Sequence, residues 1–167
     1  MKKNAKRYIT AALFAAMTCV LTFMVRVPAP VGFTHPGDSV IYLAACILPF
    51  PYTLAAAAVG GALADLLAGY PQFIVPTLII KSLMSLLFSC KSEKILTKRN
   101  ALVTIPSGLM LISGYFIATW AIYDLGLAFA GIPGDLMQST MSAVMFIAVA
   151  AGLDKIKFKQ RLELIKR

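Results

Sequence analysis

Long apolar runs without charged side chains dominate the chain. Residues 8–25, 100–123 and 136–153 each contain no Asp, Glu, Lys or Arg. A helix that crosses a bilayer needs roughly 20 mostly apolar residues, and each of these runs approaches that length. Soluble domains contain about 45–50% apolar residues, whereas this chain has 59% hydrophobic residues and a mean hydropathy of +0.81. The pattern predicts an all-α integral membrane protein.

Proline and glycine clusters divide the apolar sequence into helices. Breaks are predicted at residues 26–37, 49–52, 69–71 and 124–134 because these residues favour turns. Small residues fill the third predicted helix, which favours close helix packing in lipid, and Pro76 predicts a kink in the fourth. We predict one six-helix transmembrane bundle over residues 1–167, with helices at 8–25, 38–48, 53–68, 72–89, 102–123 and 135–153.

Basic residues lie in three short runs beside the apolar segments. The runs at residues 2–7, 91–99 and 155–167 hold four, four and six basic residues, which is 14 of the 16 in a chain of net charge +9. Cytoplasmic loops carry such an excess of Lys and Arg. Six helices place all three runs and both termini in the cytoplasm, whereas five helices would put one run outside. The basic tail 155–167 is expected to lie on the inner membrane surface, and nucleic-acid binding is not favoured.

Residues that would carry enzyme chemistry are missing. Cys19, Cys46 and Cys90 are far apart, and no Cys/His spacing typical of a metal site occurs. We find no phosphate-binding loop, no paired catalytic carboxylates and no nucleophile–histidine set. The first apolar run is too long for a signal peptide, so it is predicted to be a retained helix. Binding or transport without a metal or cofactor is therefore expected, not catalysis.

Two charged residues fall inside predicted membrane helices. Asp65 lies in the third helix and Lys81 midway along the fourth. A charge at the bilayer centre costs about 2.5–3.5 kcal/mol on insertion scales, so such residues usually pair or serve function. The sequence leaves two interpretations open. Asp65 and Lys81 form a structural ion pair that fixes the bundle, or they contact a solute.

Further polar and aromatic residues gather near the predicted outer surface. Asp135 and Gln138 share one face at the start of the sixth helix, although Asp135 also fits a helix cap. His35 is the only histidine and lies in the first outer loop, where a solvated role is the alternative. Several aromatic residues could wall a pocket or form an ordinary interfacial belt: Phe33, Tyr70, Phe73, Tyr115 and Trp120.

Five segments together resemble a known transporter family. They are Gly37–Ala45, Gly60–Tyr70, Pro76–Lys81, Gly114–Phe116 and Pro133–Gln138. Their pattern is similar to the substrate-binding S component of an energy-coupling factor (ECF) vitamin transporter. The similarity is greatest to the branch with riboflavin-, pyridoxine- and pyrimidine-type S components. The resemblance covers nearly the whole chain, and the block from Asp38 to Lys81 is its most specific part.

The resemblance implies a high-affinity binding subunit in the plasma membrane with a pocket open to the outside. It implies partners as well: a transmembrane coupling subunit, which would pack on Ala12 and Ala16, and two cytoplasmic ATPases. Where the family often has Asn in its Pro-Gly-Asn motif, this chain has Asp135. This departure leaves the identity of the vitamin or precursor open.

The predicted binding site lies at the outer ends of helices three to six, under the loop 27–37. Asp38 joins the polar and aromatic residues named above, because acidic residues concentrate on the outer side and basic runs on the inner side. Two other classes of function remain. One is a small membrane scaffold or accessory subunit that binds no solute. The other is a small proton-coupled exporter that uses Asp65.

The charge pattern predicts the topology directly. Reporter fusions after Arg167 and within residues 91–99 should both report a cytoplasmic location, because basic loops are retained inside. The measurement is paired activity of reporters that are active only inside or only outside the cell. An external signal from either fusion would refute the six-helix topology.

Overall fold

The protein is a helical bundle with one short hairpin. The computed structural model describes residues 3–162 of the 167-residue chain. Within that range lie eight α-helices, a 3₁₀ turn at Pro71–Phe73, and the antiparallel strands β1 (Val27–Pro28) and β2 (Phe33–Thr34). The helices are α1 (Lys3–Met24), α2 (Asp38–Ile47), α3 (Tyr52–Ala68), α4 (Ile74–Leu87), α5 (Lys98–Leu102), α6 (Thr104–Ile122), α7 (Leu125–Lys155) and α8 (Phe158–Arg161).

The predicted all-α class is confirmed, and each of the six predicted helices has a counterpart. Three described helices are long and apolar enough to cross a membrane: Asn4–Met24, Lys98–Ile122 and Leu125–Lys155. Three shorter apolar helices cover Asp38–Ile47, Tyr52–Ala68 and Pro71–Leu87. The number of crossings and the side of each terminus stay predictions.

The predicted loop at residues 124–134 is helical instead. Asp124 caps α7, because its Oδ1 accepts a hydrogen bond from the Leu127 N–H at 2.9 Å. The helix continues through Pro133, as membrane helices tolerate proline where neighbouring groups satisfy the freed backbone. The cap interpretation of Asp135 is therefore wrong, since this residue lies well inside α7. Pro76 likewise produces no mid-helix kink, because it falls in the first turn of α4 where a missing N–H costs little.

The short helix α2 forms the centre of the bundle. All ten of its residues are buried, and it contacts α1, α3, α4 and α7. At about 1.5 Å per residue it spans only half a bilayer, and its neighbouring helices enclose it. Any polar side chain on α2 is thereby held in the protein interior.

Adjacent glycines in α3 let two helices approach from opposite sides. A Cβ atom on Gly60 would lie 2.7 Å from the carbonyl oxygen of Ala15 in α1, and one on Gly61 would lie 2.8 Å from Thr77 in α4. Real Cβ atoms essentially never show contacts of that length, so a larger residue at either position would require neighbouring atoms to shift. The small-residue pattern of α3 therefore sets the spacing of α1, α3 and α4.

Side chains bind the backbone of the loop after α4. Asp154 accepts hydrogen bonds from the N–H groups of Ile95 and Leu96 at 2.8 and 2.9 Å. Lys159 is buried and donates to the carbonyls of Cys90 and Ser92 at 2.9 and 2.6 Å. The described part of the basic tail thus packs on this loop, while residues 163–167 lie outside the described residues, as do residues 1–2.

Helix α7 connects two ends of the molecule. Thr34 in the hairpin donates to the carbonyl of Gly134 at 3.0 Å, and Asp154 binds the loop after α4. Twenty residues separate these two positions on α7, which corresponds to about 30 Å. That length matches the hydrocarbon thickness of a typical bilayer. The hairpin and the basic loop therefore lie at opposite ends of the bundle.

Candidate functional site

A buried ion pair joins α2 to α4. The Nζ atom of Lys81 lies 2.7 Å from Oδ1 and 2.9 Å from Oδ2 of Asp38, and both side chains are almost completely buried. The amide of Gln138 in α7 donates to the same Oδ2 at 2.8 Å. Buried charges require such pairing and hydrogen bonding, because the uncompensated charge would be costly in a low dielectric. Three helices therefore meet at Asp38.

The first of the two interpretations, an ion pair between Asp65 and Lys81, is wrong, because Lys81 pairs with Asp38. Asp38 takes that role because it is the first residue of α2 and is carried into the interior with that helix. Asp65 and Lys81 still line a common cavity of about 10 Å³, together with Asp38. Oδ2 of Asp65 is buried and has no hydrogen-bond partner among the described residues. Asp65 thus lies close to Lys81, but Asp38 is the carboxylate that pairs with the lysine.

A larger cavity of about 60 Å³ adjoins this cluster at the hairpin end of the bundle. The hairpin, α3, α6 and α7 all contribute to its wall, and the segment from Tyr70 to the 3₁₀ turn adds two aromatic side chains. The lining residues are Val31, Gly32, Phe33, His35, Asp65, Tyr70, Phe73, Tyr115, Thr119, Gly131, Asp135 and Gln138. Carboxyl, amide, imidazole and hydroxyl groups thus face a space with aromatic walls.

Most of the predicted site residues come together at this cavity. Eight of the eleven line it: Phe33, His35, Asp65, Tyr70, Phe73, Tyr115, Asp135 and Gln138. Asp38 and Lys81 lie in the adjoining smaller cavity. Trp120 lines neither, because 56% of its surface is exposed on the outside of α6.

Helical spacing could have found two lining residues that the sequence analysis missed. Thr119 is four residues after Tyr115, and Gly131 is four residues before Asp135. Residues at this spacing share a helix face, so a known cavity residue indicates the next one. Val31 and Gly32 carried no comparable signal, because the hairpin places them through its turn. Gly32 has a φ of 69°, a conformation that glycine adopts readily.

The hairpin covers the cavity and is bound on two sides. Thr34 donates to the carbonyl of Gly134 on α7 at 3.0 Å. The Phe33 ring packs against Tyr70, with centroids 5.5 Å apart. Residues of the loop from 31 to 35 therefore form one wall of the cavity.

His35 is held neutral under this loop. Its Nδ1 accepts a hydrogen bond from the Gly37 N–H at 3.1 Å and lies 3.4 Å from the Thr22 hydroxyl. A proton on Nδ1 would face that backbone donor. Burial lowers the pKa of His35 to about 4; Asp38 opposes this effect and Lys81 reinforces it. His35 therefore presents Nε2–H as a hydrogen-bond donor.

Aromatic rings form the remaining walls. Phe73 lies 6.3 Å from Tyr115 and 6.2 Å from Tyr123 between ring centroids. Tyr115 also contacts the polar cluster, because its hydroxyl is 2.9 Å from Thr77 and the Lys81 Nζ lies 5.1 Å from its ring centroid. Small-ligand sites commonly combine such apolar walls with a few placed polar groups. The arrangement suits reversible binding of a small ring-shaped solute.

Comparison with known proteins gives two matches. A family model described as "ECF-type riboflavin transporter, S component" matches residues 2–155. A protein of Pyrococcus woesei described as "Uncharacterized protein in gap 3'region" is 31% identical over 144 residues. That match covers 84% of this chain and 94% of the relative. The residues matched by the family model include every residue that lines the two cavities.

Double-mutant analysis tests the ion pair. Asp38→Asn and Lys81→Met should each destabilise the protein by about 3–5 kcal/mol, because each leaves a buried charge unpaired. The loss of unfolding free energy in the double variant should be much smaller than the sum of the two single losses. The measurement is the unfolding of purified protein in detergent. Strictly additive losses would show that the two residues do not interact.

The burial of His35 predicts a pH dependence of stability. The unfolded chain protonates His35 near pH 6.5, whereas the folded protein resists protonation until about pH 4. The unfolded state binds more protons in this window, so stability should fall by up to about 1.4 kcal/mol per unit as pH drops from 6.5 to 4.

The matched control for this titration is His35→Gln, which keeps a hydrogen-bond acceptor but does not titrate. Its stability should depend less steeply on pH over the same window. An identical slope in both proteins would show that other groups cause the effect.

Proposed function

The chain belongs to the family of ECF-type riboflavin transporter S components, and we propose that it is the high-affinity binding subunit of an ATP-driven vitamin importer. Its solute is a small water-soluble vitamin or precursor of the riboflavin, pyridoxine or pyrimidine type. The cavity under the hairpin carries the proposal, since it combines aromatic walls with unpaired polar groups. Membership of a family of binding subunits removes support from the scaffold and exporter alternatives.

Each part of the site has a proposed role. Phe33, Tyr70, Phe73 and Tyr115 stack against the solute ring. Asp65, Asp135, Gln138 and His35 form hydrogen bonds with its polar edge. Asp38 and Lys81 hold α2 and α4 in register beneath the site. Trp120 has no role in binding, because it lies outside the cavity.

Solute entry requires the hairpin to move. The cavity holds about 60 Å³, whereas sites for ligands of vitamin size usually enclose about 300 Å³ or more. The hairpin is held to its neighbours by the hydrogen bond of Thr34 to Gly134 and by the ring contact of Phe33 with Tyr70. Displacement of residues 27–34 enlarges the space without breaking the ion pair at its base.

The first helix supplies the proposed contact with the coupling subunit. Ala12 and Ala16 are exposed on α1, whereas Ala11 and Ala15 face the bundle and are buried. Small exposed residues one turn apart allow close approach of a second helix in lipid. We assign this face to the transmembrane partner, and ATP hydrolysis to two cytoplasmic ATPases.

Binding by the purified chain tests the proposed function. Calorimetry with riboflavin, pyridoxine and pyrimidine precursors should find one tight ligand. Asp135→Ala should weaken its binding by about tenfold or more, because a hydrogen bond to a charged group contributes about 1.5–3 kcal/mol. Trp120→Phe is the matched control and should bind normally. Unchanged affinity in Asp135→Ala, or no binding of any tested solute, would contradict the proposal.

Separate substitutions test the partner surface. Replacing both Ala12 and Ala16 with Leu should abolish complex assembly or transport, because the larger side chains prevent close helix packing. Solute binding by the isolated subunit should be unaffected. Replacing the buried Ala11 and Ala15 instead should impair folding and binding together. Loss of binding in the Ala12 and Ala16 variant would show that this face is internal.

A further inference from the structure

The cavity contains two carboxyl groups that lack a basic partner. Asp65 and Asp135 both line it, on α3 and α7. Within residues 3–162, neither has a Lys or Arg nitrogen within ion-pair distance. Asp65 is nine-tenths buried, and its Oδ2 has no hydrogen-bond partner there. An ionised carboxyl that is buried without a partner is costly, so the site lacks a positive group that a solute can supply.

Lys81 cannot supply the positive charge that Asp65 and Asp135 lack. Lys81 contacts both carboxylate oxygens of Asp38, at 2.7 and 2.9 Å. The same carboxylate accepts the Gln138 amide. The charge of Lys81 is thus neutralised by Asp38, and this pair adds no net charge beside the cavity. Asp65 and Asp135 are then the charged residues among those that line it.

The two carboxylates that line the cavity only accept hydrogen bonds, whereas its hydroxyl groups can donate or accept. Gln138 uses one N–H of its amide on Asp38, and its oxygen remains an acceptor beside the two carboxyl groups. The Tyr115 hydroxyl already pairs with Thr77. His35 contributes one donor, because its Nδ1 accepts from Gly37. A solute with several N–H donors satisfies this set better than one with several carbonyl oxygens.

The walls suit a flat, positively charged ring. Phe33 and Tyr70 approach to 5.5 Å on one side, and Phe73 and Tyr115 approach to 6.3 Å on another. Aromatic faces attract cations as well as stacked rings. We infer that the solute is a flat nitrogen heteroaromatic that carries a positive charge or a protonated amine, bound between Asp65 and Asp135. This inference rests on the proposed function and narrows its substrate class.

Matched ligand pairs test the inference with the full chain in detergent at pH 7.5. Pyridoxamine and pyridoxine share a ring and differ by an ammonium against a hydroxyl group. Thiamine and its neutral oxidised product thiochrome form a second pair, and riboflavin is a neutral reference. In at least one pair the cationic member should bind about tenfold tighter or more, as expected for a hydrogen-bonded charge. The readout is the dissociation constant from calorimetry.

Charge-removing variants test the residues. The double variant Asp65→Asn and Asp135→Asn keeps the size of both side chains. Its dissociation constants for the two members of that pair should differ by no more than about threefold. Asp124→Asn is the matched control, since Asn caps a helix as well as Asp does and residue 124 lies outside the cavity. This control should retain the full preference for the cation.

The outcomes separate the inference from the proposed function. Tighter binding of a neutral member or of riboflavin, with no preference for a cation in either pair, overturns the inference and leaves the proposed function intact. A preference for the cation that survives in the double variant overturns the assignment to Asp65 and Asp135. Absence of binding by all five compounds overturns both the inference and the proposed function.

Discussion

The ion pair between Asp38 and Lys81 is the interaction on which the rest of the structure depends. It places two opposite charges inside an apolar bundle, where the free-energy cost of burying either charge alone would be very high. Asp38 fixes the start of α2, Lys81 fixes α4, and the amide of Gln138 adds α7 to the same carboxylate. A buried ion pair is a weak source of stability compared with apolar packing. Its value here is geometric, because it sets the mutual position of three helices that meet beside the cavity.

This geometry separates structural charges from charges that face a solute. Lys81 and Asp38 satisfy one another and leave the base of the site neutral. Asp65 and Asp135 line the space above without a cation in the described part of the chain. The hairpin that covers them is attached to α7 through Thr34 and Gly134. A rigid polar base and a displaceable cover are what a subunit needs if it captures a solute and later releases it.

The sequence predicted the helices well because hydrophobic runs and turn residues are local signals. Ala12 and Ala16 are exposed on α1, and their contact with a partner stays a prediction. The errors came from long-range effects. Pro133 and Gly134 suggested a loop, but the cap at Asp124 and the surrounding helices keep α7 continuous.

The ion-pair partner could not be chosen from sequence either. Asp38 and Asp65 both precede Lys81 along the chain, and spacing gives no reason to prefer one. The choice follows from the complete burial of α2, which is a property of the assembled bundle. Trp120 was assigned to the cavity because it lies at the same level of the membrane as the other aromatic residues. That level does not determine which side of α6 the residue occupies. Its neighbour Thr119 faces the cavity instead.

A structure of the protein with its solute bound would test the central claim most directly. We predict that the solute lies between the hairpin and α7, in contact with Asp65, Asp135 and the ring of Tyr115. The hairpin should be displaced from its present position, while Lys81 stays paired with Asp38. A solute bound elsewhere on the bundle, or one that separates Lys81 from Asp38, would contradict this account of the site.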